Sequence, residues 1–111
     1  MDFQQLQQRA MDLRRHYAAY EQKKYGRSWT PEEVALGFVG DVGDLCKLVQ
    51  AVEGVRNIPE AKDKLAHELA DCLWSVMALA NLYGVDLEDA LDKMLRQCEA
   101  FVEAEMGSAA D

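Results

Sequence analysis

The sequence contains few residues that interrupt helices and no segment that could enter a membrane. Only seven glycines and two prolines occur among the 111 residues, and this scarcity favours long helices. No apolar run approaches the roughly 20 residues that a membrane-spanning helix needs. The first residues, MDFQQLQQRAMD, do not resemble a signal peptide. We therefore expect neither export nor association with a membrane.

Cysteine is also scarce, and its spacing excludes the usual cysteine-based sites. The three cysteines, Cys46, Cys72 and Cys98, are odd in number and form no C-x-x-C pair. A disulfide framework or a zinc site is therefore not expected, and a cytoplasmic, reducing setting is. Each cysteine lies in a helical pattern, which predicts small residues of the core.

Positively charged residues are also few. Twelve Lys and Arg residues face 20 Asp and Glu residues, which gives a net charge of -8. A surface this acidic repels phosphate backbones, so we expect no nucleic-acid partner. The chain also lacks the glycine-rich loop of a P-loop nucleotide site. His16 and His67 lack partners at the spacing of di-iron or zinc ligands and are expected at the surface or its boundary.

The residues that are present favour helices, and the breaks between the helical segments are clear. Apolar residues recur at helical spacing in four segments, with no strand pattern between them. Short connections favour antiparallel neighbours, so we predict an all-α, four-helix antiparallel bundle that oligomerises through its helices. It forms one domain over residues 1–106, and residues 107–111 are expected to be a frayed tail. The predicted helices cover residues 2–24, 30–52, 60–83 and 86–106.

Local signals support the predicted helix ends. Thr30, Pro31 and Glu33 have the order of a capping box with proline in the first turn. Gly26 is placed to end the first helix, and Asp86 is placed to cap the fourth.

Two helices carry carboxylates on their apolar sides. At 100° per residue, Asp41 points along the middle of the apolar stripe of the second helix, and Asp44 lies about 60° from it. Glu68 and Asp71 repeat this arrangement on the third helix. Antiparallel packing would bring the four carboxylates together.

Such a group of acids needs positive charge nearby. Burying an unpaired carboxylate costs several kcal/mol, and neighbouring carboxylates also repel one another. Lys47 and Lys64 are too few to neutralise four acids, whereas Mg²⁺ prefers oxygen ligands and commonly binds phosphates as well. The alternative from patterning is that the acids pair with Lys or Arg of the same bundle or of a neighbouring subunit.

At these residues the sequence resembles the MazG-like, all-α NTP pyrophosphatase superfamily. The family motif is E-x-x-E, a variable gap and E-x-x-D, and here it reads DVGD (41–44), 23 residues and ELAD (68–71). The contexts FVGDVGDL (38–45) and HELADCLWSVMALANLYGVDLEDALDKM (67–94) are similar to those of the family, and so is TPEEVAL (30–36) in its dCTP pyrophosphatase branch.

The resemblance implies hydrolysis of a nucleoside triphosphate to the monophosphate and pyrophosphate. It implies Mg²⁺, with Mn²⁺ as a possible substitute, held by Asp41, Asp44, Glu68 and Asp71, which are also the catalytic acids. It further implies a homodimer or a dimer of dimers, in which neighbouring subunits complete the nucleotide site.

The chain departs from the family pattern at several positions. Asp41 and Asp44 stand where Glu is usual, and the family's basic phosphate-binding run retains only Lys93, with Arg96 as a substitute. Trp29 is a candidate surface for stacking on a base, whereas Trp74 is expected at a subunit contact. These changes favour weak activity or an unusual substrate. The alternative function is a non-catalytic helical module that binds metal or nucleotide or mediates oligomerisation.

Overall fold

The chain consists of four α-helices joined by short turns. The computed structural model describes residues 1–110, and Asp111 lies outside the described residues. The helices are α1 (Phe3–Tyr25), α2 (Pro31–Val52), α3 (Ala61–Leu82) and α4 (Leu87–Ala110), and no strand occurs in this part of the chain. The predicted all-α, four-helix class is confirmed. None of the described helices combines the length and hydropathy needed to cross a bilayer.

The predicted helix ends are correct where capping residues mark them. At the start of α2, the Thr30 side chain accepts from the Glu33 amide at 3.2 Å, and the Glu33 carboxylate accepts from the Thr30 amide at 3.1 Å. Gly26 ends α1 in the left-handed region at φ 80°, which glycine adopts without steric strain. Asp86 accepts from the Asp89 amide at 3.1 Å at the start of α4.

One predicted helix end is wrong. α4 continues through Gly107 to Ala110, four residues past the expected end at Met106. A single glycine within a helix costs only about 1 kcal/mol relative to alanine, and the alanines that follow it are strong helix formers. The remaining part of the expected tail, Asp111, lies outside the described residues.

The α2–α3 hairpin forms the centre of the molecule, and α1 packs on α3. The two helices of the hairpin lie against each other over much of their lengths, and the turn between them spans residues 53–60. A small core joins α1 to the hairpin through Ala10, Met11, Val34, Met77 and Ala78. This arrangement leaves the outer faces of α2 and α3 uncovered.

The fourth helix extends away from this centre. Every side chain from residue 88 to residue 108 is exposed, and only Leu87 at its start packs against the core. The radius of gyration is 18.2 Å, whereas a compact domain of about 100 residues has a radius near 13 Å. The single chain therefore leaves much of its apolar surface in contact with solvent.

The prediction that the cysteines lie in the core is correct for one of the three. Cys72 is buried, but Cys46 and Cys98 are exposed. Cys98 lies on the exposed part of α4, and Cys46 is an exposed residue of α2, so helical spacing alone did not predict which residues the chain would cover.

Candidate functional site

Three carboxylates meet between α2 and α3. Ligand oxygens of Asp41, Asp44 and Glu68 all lie within 4.8 Å of one another. The helical spacing explains this, because Asp41 and Asp44 are one turn apart on α2 and Glu68 lies on the facing side of α3. The structure thus brings together three of the four acids that the motif predicts as metal ligands.

The fourth acid, Asp71, lies outside this group. Its Oδ2 lies 3.3 Å from Nε2 of His67, one turn earlier on α3, and its side chain is about half exposed. Asp71 instead lines a neighbouring cavity together with Asp41. Its position at the edge of the apolar stripe accounts for this exposure.

Glu68 has the most unusual environment of the group. Its Oε1 is buried and has no hydrogen-bond partner within the described residues. Burial raises the pKa of Glu68, and the negative charges of Asp71, Asp41 and Asp44 raise it further. A buried acceptor without a donor is rare in folded proteins, and a cation would satisfy it. The donor set consists of carboxylate oxygens alone, which suits a hard divalent ion such as Mg²⁺.

An aromatic cavity adjoins the carboxylates on one side. Its volume is about 390 Å³, within the usual range for sites that bind small molecules. Asp41 and Asp71 lie in its wall, and its other lining residues include five aromatic side chains: Tyr17, Tyr20, Tyr25, Trp29 and Trp74. The cavity therefore offers stacking surfaces next to acidic groups.

An ion pair on α1 holds one wall of this cavity. Nη1 and Nη2 of Arg14 lie 3.1 and 3.3 Å from the two carboxylate oxygens of Glu21. Arg14 also donates to the Trp29 carbonyl at 3.3 Å, and the Trp29 amide donates to Glu21 at 2.8 Å. Both backbone groups of Trp29 are thus attached to α1.

The ionised form of Glu21 is stabilised within this network. Burial alone would raise the pKa of Glu21, but the hydrogen bonds from Arg14 and from the Trp29 amide outweigh burial and lower it. Sequence reasoning did not identify this pair. The signal was available, because Arg14 and Glu21 are seven residues apart and hence on the same face of α1.

Trp74 packs against α1 of its own chain. Its Nε1 donates to the Ala10 carbonyl at 3.3 Å, and its ring meets Tyr17 edge to face at 5.9 Å between centroids. These contacts connect α3 to α1, and the expected position of Trp74 at a subunit contact stays a prediction. Trp29 lies at the cavity as expected of a candidate stacking residue.

A second cavity adjoins the carboxylates near the α2–α3 turn. Its volume is about 470 Å³. Asp44 and Glu68 line it, as do two of the three lysines of the hairpin, Lys47 and Lys64; the remaining lining residues are Leu48, Ile58, Asp63 and His67. This cavity therefore brings lysine side chains next to the acids within a lining that is mostly apolar.

The basic residues that the motif predicts for phosphate binding are elsewhere. Lys93 lies on α4 with Nζ 2.8 Å from Asp89, and Nε of Arg96 lies 2.9 Å from Asp92. Both pairs are exposed, and within one chain α4 does not reach the carboxylates. The geometry neither adds these residues to the site nor gives them another function.

Comparison with known proteins agrees with this geometry. A family model described as the MazG nucleotide pyrophosphohydrolase domain matches residues 30–100, which is more than half of the chain. The chain is also 33% identical to a Bacillus subtilis (strain 168) protein named "Uncharacterized protein YvdC", in a match that covers 59% of this chain and 72% of that protein. No solved structure matches the chain significantly.

Proposed function

The chain belongs to the MazG nucleotide pyrophosphohydrolase family, and we propose that it hydrolyses a nucleoside triphosphate to the monophosphate and pyrophosphate with Mg²⁺. The observation that carries this proposal is the group formed by Asp41, Asp44 and Glu68, in which one buried Glu68 oxygen lacks a donor. Mn²⁺ is the expected substitute for Mg²⁺, because it also accepts oxygen ligands.

The residues of the group fit a divalent cation. Asp41, Asp44 and Glu68 would hold the ion, and Asp71 is proposed as the fourth ligand. When bound, Mg²⁺ would neutralise phosphate charge and lower the pKa of a coordinated water. A carboxylate of the same group can accept the proton of the attacking water.

The aromatic cavity is proposed to hold the nucleoside. Trp29 and the tyrosines of α1 offer faces on which a base can stack, and Asp41 and Asp71 in the same wall connect this cavity to the metal site. Arg14 and Glu21 hold the Trp29 backbone in place. The proposed substrate is therefore a nucleotide whose base contacts the aromatic side chains of this cavity.

Assembly completes the proposal. We propose a homodimer or a dimer of dimers, because apolar side chains on the outer faces of α2 and α3 and along α4 are exposed. Lys93 and Arg96 would contact substrate only if α4 of a neighbouring subunit approached the carboxylates. A cytoplasmic setting is consistent with the free, exposed thiols of Cys46 and Cys98.

A panel of common and modified nucleoside triphosphates, assayed with Mg²⁺ for pyrophosphate release, tests the function. We expect the parent to release pyrophosphate from at least one substrate. The Asp44→Asn variant, which keeps the size of the side chain but removes its charge, should release none. Mg²⁺ and nucleotide binding without release from any substrate would favour the alternative, a non-catalytic binding module. Failure of the chain to bind Mg²⁺ or nucleotide would contradict the enzymatic function and would leave only oligomerisation from the alternative.

A further inference from the structure

Two lysines of the α2–α3 hairpin lie beside the acids and have no acidic partner. Lys47 and Lys64 line the second cavity together with Asp44 and Glu68. Within the described side chains, neither lysine forms an ion pair within 4 Å, although helical neighbours offer carboxylates. By contrast, Lys93 and Arg96 on α4 are each paired with an aspartate of their own helix.

Helix geometry places the two lysines on the same side of the metal site. Lys47 is three residues after Asp44 on α2, and Lys64 is four residues before Glu68 on α3. Residues at these spacings share one face of a helix. Since the two helices run in opposite directions, both lysines lie toward the turn that joins them.

The two cavities therefore adjoin different ends of the carboxylate group. The aromatic cavity is lined by Asp41 and Asp71, and the lysine-lined cavity is lined by Asp44 and Glu68. From Asp41 to Lys47 the rise along α2 is about 9 Å. Along the hairpin, the order is aromatic surface, carboxylates and then ammonium groups.

We infer that Lys47 and Lys64 bind the β- and γ-phosphates of the substrate, and hence the pyrophosphate product, while the nucleoside occupies the aromatic cavity. This inference rests on the proposed function and assigns a direction to the bound substrate. Water would attack the α-phosphorus, the bond from that phosphorus to the bridging oxygen would break, and the electron pair would leave with pyrophosphate at the lysines. In a chain of net charge -8, two free ammonium groups beside the acids supply the local attraction that a polyphosphate needs.

Calorimetric titration of the full chain with inorganic pyrophosphate, in the presence of Mg²⁺, tests this assignment. The Lys47→Ala/Lys64→Ala variant should bind pyrophosphate at least about tenfold more weakly than the parent, because hydrogen bonds between charged groups are lost. Its affinity for a nucleoside monophosphate should be unchanged, since the monophosphate carries no β-phosphate. The Lys47→Arg/Lys64→Arg variant should retain pyrophosphate binding.

The matched control is Lys62→Ala, which removes an exposed lysine of α3 that does not line the cavity. It should bind pyrophosphate as the parent does, and circular dichroism should show that all variants remain helical. Equal pyrophosphate affinity in the double alanine variant and the parent would overturn the assignment. So would equal losses of pyrophosphate and monophosphate affinity.

These results are separable from the proposed function. If the parent releases pyrophosphate from a triphosphate but the double alanine variant binds pyrophosphate normally, only the lysine assignment fails. If the parent hydrolyses no triphosphate, the enzymatic function fails, and the selective loss of pyrophosphate binding still decides whether the lysines form a phosphate site.

Discussion

Arg14 and Glu21 form a two-pronged ion pair within α1, and each also hydrogen-bonds to the backbone of Trp29. Both side chains are about nine-tenths buried. The pair thus attaches the segment that precedes α2 to the middle of α1. This contact determines where one aromatic wall of the cavity lies.

Removing one partner of this pair should destabilise the fold. Arg14→Met removes the guanidinium donor from Glu21 and from the Trp29 carbonyl and leaves Glu21 with the Trp29 amide alone. We expect a loss on the order of 2 kcal/mol in the free energy of unfolding. Urea denaturation monitored by circular dichroism measures this loss. Arg15→Met, which removes an exposed arginine of the same helix, should change stability by less than about 0.5 kcal/mol. Equal stability of the two variants would show that the pair contributes nothing.

Neutralising Glu68 should show whether this residue belongs to a metal site or to a structural ion pair. In the metal-free protein, Glu68→Gln removes repulsion with Asp41, Asp44 and Asp71, so its melting temperature should equal or exceed that of the parent. The rise in melting temperature that Mg²⁺ gives the parent should be lost in the variant.

Differential scanning calorimetry with and without millimolar Mg²⁺ provides this measurement. Glu99→Gln on the exposed α4 serves as the control, and it should keep the full response to Mg²⁺. A metal-free Glu68→Gln protein that melts well below the parent would indicate that the carboxylate has a structural partner, and the site assignment would fail.

The contribution of Glu33 to the stability of the fold should depend on pH. The Arg27 side chain and the Thr30 amide lower the pKa of Glu33 from 4.5 to about 2. Because this pKa is lower in the folded chain, the stabilisation is fully present above pH 4.5 and is lost as the pH falls through about 2. Glu33→Gln should be less stable than the parent at pH 6, and the difference should disappear near pH 2.

Thermal melts of both proteins across this range measure that difference. Gln retains the capping geometry at this helical position, so the comparison isolates the charge. A stability difference that stayed constant from pH 6 to pH 2 would contradict an electrostatic origin.

Charges on the outer face of α3 should prevent association. Leu69 and Leu73 are 52% and 50% exposed in the single chain, and they follow each other on one face of the helix. Leu69→Glu/Leu73→Glu should give a monomer by light scattering at micromolar concentration, whereas the parent should be a dimer or larger. A monomeric parent would contradict the proposed assembly.

Local sequence signals predicted the helices and part of the site. Thr30, Glu33 and Asp86 marked helix starts correctly, since a cap depends on neighbouring residues alone. Asp41 and Glu68 met because the helical wheel fixes the direction of each side chain and short connections make neighbours antiparallel. The identity and direction of the two main helices were therefore sufficient to predict the centre of the acidic group.

Features that depend on the angles between helices were not predicted. Asp71 lay too near the edge of its stripe for the wheel to show whether it would join the group, and it lies beside His67 instead. The departure of α4, the exposure of Cys98 and the division of the surroundings into an aromatic and a lysine-lined cavity all follow from tertiary packing. No pattern within a single helix contains that information.

Because α4 is exposed in the single chain, hydrogen exchange of its backbone amides can report whether subunits associate. Every side chain of α4 from residue 88 to residue 108 is exposed, so the amide protons of this stretch are kept from solvent mainly by the helix's own hydrogen bonds, and exposed helices open readily. In a single chain, the amides of α4 should exchange with deuterium far faster than those of the α2–α3 hairpin. Slow exchange along α4 would then show directly that a neighbouring subunit covers it in solution.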